Sequence, residues 1–223
     1  MRGDFVSTCI AYGDCNTCGL EKNTVELWAE LVCRQLGLSL TNCGHTMSTT
    51  REMLQYNETH PARMHDVALV QYGLVDSWLT FRGAPYVLYY PDYSRRKLAR
   101  KLVKKLKRWA RQWRLQDRVG SIEQVPLGEY VANLRLLIGS APQTQFVLVA
   151  TVPNLDEPRN PRIRRYNQAL QALVADESNV VFVDAFDDIW EEKGQALMAD
   201  GTHLTARGHR IVANKVLQVL QVL

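Results

Sequence analysis

The sequence contains no hydrophobic run near the ~18 residues that a membrane-spanning helix requires. The chain has 223 residues, of which 46% are hydrophobic and 22% are charged. These proportions are ordinary for a globular protein, and the length suits one well-buried domain rather than two. The first residues, from Met1 to Phe5, lack the apolar core and small-residue cleavage site of a signal peptide. We therefore expect a single cytoplasmic domain over residues 1–223.

The sequence also lacks a recognisable metal-binding pattern. Its five cysteines cannot all pair, and an odd number without a signal peptide favours reduced thiols. Cys15 and Cys18 form a Cys-x-x-Cys, but no second ligand pair follows at the spacing of a zinc site. A redox pair remains the alternative for these two cysteines. The acidic residues between Asp184 and Glu192 match no calcium loop, so we predict no metal and no cofactor.

Short apolar runs alternate with segments of helical periodicity along the chain. The runs predict buried strands at residues 5–11, 38–42, 66–72, 144–152 and 180–183. Helical spacing predicts helices at residues 24–36, 129–138, 161–175 and 206–223. Contiguous apolar strands alternating with helices are typical of parallel sheets covered on both faces. We therefore predict an α/β three-layer sandwich, with a central, mostly parallel five-stranded sheet flanked by helices in a flavodoxin-like arrangement.

Candidate functional residues follow the predicted strands. Ligands of open parallel sheets bind beyond the carboxyl ends of the strands. In chain order, the residues placed there are Cys15, Met47, Asp76, Pro153, Asn154, Asp200 and His203. A nucleophile on a strand-to-loop turn needs a base, and the base needs an orienting carboxylate. An Asp three residues before a His supplies both from one loop.

Two of these segments resemble the SGNH/GDSL hydrolase family. Gly13-Asp14-Cys15-Asn16-Thr17-Cys18-Gly19 is similar to the family's first block, with Cys15 in place of its serine, and Asp200 and His203 match its last block, Asp-x-x-His. The resemblance implies ester hydrolysis or acyl transfer by a Cys15–His203–Asp200 triad. It also implies an oxyanion hole made by the backbone N–H groups of Cys15 and Met47, with four residues lining the site: Asp14, Gly73, Asp76 and Asn154.

The middle blocks depart from the family pattern. Met47 stands where the second block usually has a glycine, and a backbone donor survives that change. The third block, usually Gly-x-Asn-Asp, reads Gly73-Leu74-Val75-Asp76, so that Val75 replaces the asparagine that donates to the oxyanion. Losing one such donor typically costs ~100- to 1,000-fold in turnover.

The Gly-x-Val-Asp form resembles SGNH-like proteins associated with bacterial surface-polysaccharide synthesis. This resemblance implies a carbohydrate or a lipid-linked glycan as the ester substrate. The alternative function, from another class, is a non-catalytic SGNH-like binding or scaffold protein in a membrane-associated glycan-assembly complex. The intact Asp200–His203 pair favours the enzyme, whereas Val75 favours the scaffold.

An aromatic and then strongly basic segment is inserted at about residues 77–128. Residues 95–118 contain 12 Lys and Arg and one acid, while the rest of the chain has 15 basic and 22 acidic residues. One apolar stripe recurs at helical spacing within it: Leu98, Leu102, Leu106, Trp109 and Trp113.

Three interpretations of this helix remain open. The stripe packs on the domain and leaves the cations solvated, or the helix lies on an anionic membrane surface, or it binds nucleic acid or another polyanion. The membrane interpretation, which implies a peripheral protein at the inner face of the membrane, uses Arg100, Lys101, Lys104, Lys105, Arg108, Trp109 and Trp113. Nucleic acid is the least favoured partner, because no recognised nucleic-acid module accompanies the helix. The sequence indicates no oligomeric state.

Overall fold

Five parallel strands form the central sheet in the computed structural model, which describes residues 7–19 and 25–221. The strands in chain order are β1 (Thr8–Gly13), β2 (Ser39–Gly44), β3 (Val67–Gln71), β4 (Leu79–Phe81), β5 (Ser121–Glu123), β6 (Gln145–Val149) and β7 (Val180–Val183). The helices are α1 (Cys15–Cys18), α2 (Trp28–Leu36), α3 (Thr50–Thr59), α4 (Ser94–Gln112), α5 (Leu115–Val119), α6 (Leu127–Gly139), α7 (Asn160–Ala172), α8 (Phe186–Glu191), α9 (Lys193–Ala196) and α10 (Ala206–Leu220).

The order of the main sheet is β2-β1-β3-β6-β7, and every neighbouring pair is parallel. Because side chains alternate across a strand, the apolar runs supply both faces of the sheet. Leu69 and Val147 pack on one face with residues of α2 and α10, while Val70 and Leu148 pack on the other with residues of α3, α6 and α7. The predicted three-layer α/β sandwich with five central strands is confirmed.

The ends of several elements differ from the prediction. β1 runs to Gly13 instead of residue 11, because its last residues still pair with both β2 and β3. α2 begins only at Trp28, where the Leu27 N–H donates to Glu30 Oε2 at 2.9 Å and closes the helix start. The predicted residues 5, 6, 24, 222 and 223 lie outside the described part of the chain.

The segment between β3 and β6 contains a second, smaller sheet that the sequence pattern did not predict. β4 and β5 pair antiparallel, and α4 and α5 lie between them in the chain. The predicted helix at residues 95–118 is broken near Arg114, whose φ of 51° is left-handed. Among the described residues, no helix combines the length and the apolar character needed to cross a bilayer.

The apolar stripe of α4 faces away from the protein. Leu98, Leu102 and Trp109 are 63%, 62% and 50% exposed, and Trp113, which follows the helix, is 80% exposed. The interpretation in which this stripe packs on the domain is therefore wrong. The inward side of the helix instead carries Ala110, which is buried, and basic residues that line a cleft. Its orientation is fixed by Arg100, which donates to the backbone oxygens of Leu88 and Tyr89.

Candidate active site

The turn after β1 positions the proposed nucleophile. The chain reverses so closely at Gly13 that a Cβ there would lie 2.0 Å from Thr17 Oγ1, which explains the glycine. The Asp14 carboxylate caps α1 by accepting from the Asn16 N–H at 3.0 Å. Cys15 is consequently the first residue of this short helix, at the carboxyl end of the central strand.

His203 and Asp200 form a hydrogen-bonded pair in the loop before α10. His203 Nδ1 lies 2.6 Å from Asp200 Oδ2, and since a carboxylate accepts, Nδ1 donates and Nε2 is left to take a proton. Partial burial raises the pKa of Asp200. The hydrogen bonds from His203 and from the Thr202 and His203 amides outweigh it and hold this pKa below the usual value. The carboxylate therefore stays charged and fixes the imidazole tautomer.

Two asparagines hold the histidine loop against the rest of the site. Asn16 Nδ2 donates to the Thr202 backbone oxygen at 3.2 Å, and its Oδ1 accepts from the Leu204 N–H at 3.0 Å. Asn154, at the carboxyl end of β6, donates through Nδ2 to Thr202 Oγ1 at 2.9 Å. The role of Asn16 escaped the sequence analysis, because its partners lie more than 180 residues away. Its position beside Cys15, the proposed nucleophile, was the available signal.

Cys15 and His203 line one small cavity of about 10 Å³, which has room for a group the size of a water molecule. No hydrogen bond joins Cys15 Sγ to His203 within residues 7–19 and 25–221. Burial, followed by the nearby Asp14 and Cys18, raises the pKa of the Cys15 thiol. The resting thiol is thus neutral, and forming the thiolate needs a base.

His209 also borders the small cavity but is packed as a structural residue. Its Nδ1 accepts from the Trp28 N–H at 3.3 Å, and burial lowers its pKa to about 4. A histidine held neutral with one ring nitrogen occupied is a poor partner for a thiol. His203, which has the carboxylate partner, remains the better base.

Two backbone N–H groups near Cys15 are free to donate. The Met47 N–H has no acceptor in the part of the chain that the structure describes, and the Cys15 N–H has none there besides its own thiol. Met47 has a φ of 65°, the left-handed conformation that favours glycine. A strained residue of this kind typically costs ~1–3 kcal/mol and persists where its surroundings determine it. The backbone therefore keeps a glycine-like shape at the position where the resembled family has glycine.

The third block, which comprises residues 73–76, is buried. Gly73 adopts a φ of 130° beside Thr151, while Val75 is 2% exposed and lines a larger cleft together with Met47. Asp76 points to the start of α3, where its Oδ1 accepts from the Thr50 N–H at 2.9 Å and from its hydroxyl at 2.8 Å. Burial raises the pKa of Asp76 to about 7 against these hydrogen bonds. Asp76 thus supports the loop of the second block and borders neither cavity.

Asp14 is likewise a supporting residue. Its side chain is 2% exposed, and burial raises its pKa to about 7 although the Asn16 amide donates to it. Among the described residues, no group of three or more His, Cys, Asp or Glu side chains is arranged to hold a metal ion.

The larger cleft has a volume of about 650 Å³ and extends from Met47 and Val75 to the inward side of α4. Arg100 lies on its wall with a side chain that is 12% exposed and bonded to Asp92. Arg100 therefore does not face outward with the apolar stripe, as the membrane interpretation required. Lys101, Lys104, Lys105 and Arg108 also border the cleft.

Comparison with known proteins places the chain within one family. A model of the GDSL-like lipase/acylhydrolase family matches residues 11–211. No curated protein has a significant sequence match.

Solved structures with a similar fold include several esterases. An acetylxylan esterase from Geobacillus stearothermophilus has 19% identity and a TM-score of 0.63, covering 95% of this chain and 93% of its own. A lipase/acylhydrolase from Enterococcus faecalis has 15% identity and a TM-score of 0.67, with coverages of 97% and 96%. A member of the lipolytic G-D-S-L family from Veillonella parvula has 16% identity and a TM-score of 0.64, with coverages of 98% and 100%.

Proposed function

Because this chain belongs to the GDSL-like lipase/acylhydrolase family, a family of ester-hydrolysing enzymes, we propose that it cleaves an acyl ester through Cys15. His203 is the base in this proposal, and Asp200 is its orienting carboxylate. The observation that carries it is the His203–Asp200 hydrogen bond of 2.6 Å, in a loop that Asn16 ties directly to the nucleophile turn.

The proposed reaction has two steps, acylation of Cys15 and hydrolysis of the acyl-enzyme. As Cys15 Sγ attacks the ester carbonyl, His203 Nε2 takes the thiol proton, and the backbone N–H groups of Cys15 and Met47 stabilise the oxyanion. The tetrahedral intermediate expels the alcohol, which receives the proton from His203, and an acyl-thioenzyme remains. Water, deprotonated by His203, then attacks the thioester, the C–S bond breaks, the Cys15 sulfur takes the proton back from His203, and the carboxylic acid is released.

The raised pKa of the Cys15 thiol is compatible with this sequence. A buried neutral thiol is protected from other reagents, and it becomes a nucleophile when the base takes its proton during attack. The imidazolium formed on His203 is stabilised by the adjacent Asp200 carboxylate.

We further propose a carbohydrate or a lipid-linked glycan as the ester substrate, with water or a sugar hydroxyl as the acyl acceptor. One structural neighbour is named an acetylxylan esterase, which supports a carbohydrate ester. The cleft of about 650 Å³ beside Met47 is large enough for a sugar.

The first test is hydrolysis of a neutral aryl acetate by the purified chain. We expect saturable release of the phenol above the buffer rate, because a positioned base and two oxyanion donors act on any acyl ester that reaches Cys15. The rival function is a non-catalytic binding or scaffold protein, which Val75 and the unbonded Cys15 thiol favour. A folded protein that gives no release above buffer would support this rival.

We also propose that the exposed side of α4 binds an anionic membrane surface. Leu98, Leu102 and Trp109 form its apolar face, and Lys105, whose Nζ lies 4.8 Å from the centre of the Trp109 ring, flanks that face without an acidic partner in residues 7–19 and 25–221. Each cation near an anionic bilayer contributes ~1 kcal/mol, while the indole of Trp109 suits the headgroup level. A position at the inner face of the membrane would bring the site to a lipid-linked substrate.

Co-sedimentation with vesicles tests the membrane proposal. The protein should pellet with phosphatidylglycerol vesicles and much less with phosphatidylcholine, and binding should weaken with salt as the Debye length falls from ~10 Å at 0.1 M to ~3 Å at 1 M. Leu102→Ser with Trp109→Ser should remove most of the binding. The control is Leu136→Ser, which changes an equally exposed leucine on α6. Wild-type protein that stays in the supernatant at low salt would refute the proposal.

A further inference from the structure

The cleft beneath α4 has a strongly one-sided charge. Its basic lining includes Lys101, Lys104, Lys107, Arg108 and Arg111, and no carboxylate lines it among the described residues. Natural surfaces usually mix charges of both signs. A concave wall of cations concentrates positive potential where a ligand enters.

None of these five cations forms an ion pair with another residue in the part of the chain that the structure describes. Of the acids nearest along the chain, Asp92 binds Lys97 and Arg100, which also lies on the cleft wall, and Asp117 binds Arg114. Lys107 Nζ instead donates to the neutral amide oxygen of Gln124 at 2.6 Å. Apart from Arg100, the cations of the wall are therefore uncompensated within the part of the protein that the structure describes.

The electrostatic environment of Lys107 agrees with this imbalance. Burial first, and then the positive charges of Arg111 and Arg51, lower the pKa of Lys107. An anion bound in the cleft would relieve that repulsion. It would also gain charge-assisted hydrogen bonds, which are stronger than neutral ones.

Another part of the cleft wall is aromatic and is held in place. The buried Glu52 accepts from the Tyr86 hydroxyl at 2.8 Å and from the Tyr89 backbone N–H at 2.7 Å. Lys104 Nζ lies 5.6 Å from the centre of the Tyr89 ring, so the aromatic and cationic walls meet. The cleft is thus preformed, and a ring of the ligand can pack on the tyrosines while its anionic group meets the cations.

We propose that this cleft binds a phosphate or pyrophosphate group carried by the ester substrate. The proposal rests on the esterase function and names its substrate class, an acyl ester of a phosphorylated sugar or of a similar phosphorylated alcohol. The cleft is also lined by Val75 and by Met47, whose backbone N–H belongs to the proposed oxyanion hole. A substrate anchored by its phosphate would therefore lie beside Met47.

Two measurements test the proposal, and only one of them needs catalysis. The first is isothermal titration of the wild-type protein with inorganic pyrophosphate. The second compares kcat/KM for O-acetylated glucose 1-phosphate with that for O-acetylated methyl glucoside, which lacks the phosphate. We expect pyrophosphate to bind and the phosphorylated ester to be preferred through a lower KM.

Lys104→Gln with Lys107→Gln should lower the preference for the phosphorylated ester by about tenfold or more, as the loss of one charge-assisted contact typically does. Lys104→Gln alone is the second variant, because Lys104 is exposed and its removal leaves the packing intact. The matched control is Arg95→Gln with Arg118→Gln, which removes two exposed charges outside the cleft. Melting temperatures establish that each variant is folded.

The outcomes separate this proposal from the esterase function. Pyrophosphate binding that is lost in the lysine variants supports the cleft even if neither sugar ester is hydrolysed. Hydrolysis of both esters at equal kcat/KM, without pyrophosphate binding, would overturn the cleft proposal and leave the esterase function standing. Equal effects of the lysine variants and the arginine control would overturn it as well, since net charge alone would then explain the result.

A further experiment distinguishes a phosphate group that belongs to a lipid from one that belongs to a soluble substrate. The lysine variants and the wild type are sedimented with phosphatidylglycerol vesicles, with and without pyrophosphate. If the group belongs to a lipid, pyrophosphate should release the wild type from the vesicles. If it belongs to a soluble substrate, pyrophosphate should bind and leave vesicle binding unchanged. Either result supports a phosphate-binding cleft, and absence of pyrophosphate binding together with unchanged vesicle binding in the variants contradicts it.

Discussion

His203→Ala is expected to lower kcat for an aryl acetate by ~10²- to 10⁴-fold, the usual contribution of a positioned general base. The Cys15 thiol is buried with a raised pKa, so without the base little thiolate forms near neutral pH. Asp200→Asn should also be severely impaired, because an amide at this position permits the wrong imidazole tautomer. Cys15→Ala should remove the acyl-enzyme route altogether.

His60→Ala is the matched control for the histidine variant. His60 lies at the end of α3 with an exposed side chain, away from the small cavity. It should retain wild-type turnover. If His203→Ala turned over as fast as His60→Ala, His203 would not be the base.

Val75→Asn is expected to raise turnover of an aryl ester, with a gain that approaches ~10² if one oxyanion donor is restored. Val75 borders the cleft next to Met47, and its side chain offers no hydrogen bond. An asparagine there presents an N–H₂ group to the developing oxyanion, beside the two backbone donors. The measurement is kcat together with the melting temperature, because a polar side chain at this buried position carries a stability cost.

Val75→Leu is the control, since leucine has nearly the shape of asparagine without its amide. A gain in both variants would indicate a change in packing. A stable Val75→Asn protein with unchanged, nonzero turnover would indicate that another group already fills the third donor position, or that acylation does not limit the rate.

The central sheet could be predicted because each of its strands can be recognised from the local sequence. Each central strand is a contiguous apolar run, and the loops after these runs carry Cys15, Met47 and His203. β4 and β5 have only three residues each, and their pairing depends on contacts between segments separated by residues 82–120. Neither has an alternating pattern long enough to recognise.

The orientation of α4 could not be predicted from its periodicity. A stripe at helical spacing predicts an amphipathic helix without fixing which face meets the protein. The face that meets the protein is set by hydrogen bonds to residues outside the helix. The backbone oxygens of Leu88 and Tyr89 accept from Arg100, and the amide oxygen of Gln124 accepts from Lys107. These polar contacts turn the basic face inward and leave Leu102 and Trp109 exposed.

The candidate site could be predicted in part, for a similar reason. Asp200 and His203 are three residues apart, so their pairing follows from the sequence. The link between this loop and the nucleophile turn depends on Asn16, and the left-handed backbone of Met47 depends on its surroundings. Both are tertiary effects that the local sequence does not encode.

The most direct test of the central claim is the mass of the protein during turnover of an activated acetyl ester. Rapid quenching followed by peptide mapping should show one acetyl group, on Cys15, that disappears when the ester is consumed. Cys15→Ala should show none, and His203→Ala should acquire it much more slowly. Acetylation found on Cys18 or spread over several cysteines, or hydrolysis that persists in Cys15→Ala, would contradict the assignment of Cys15 as the nucleophile.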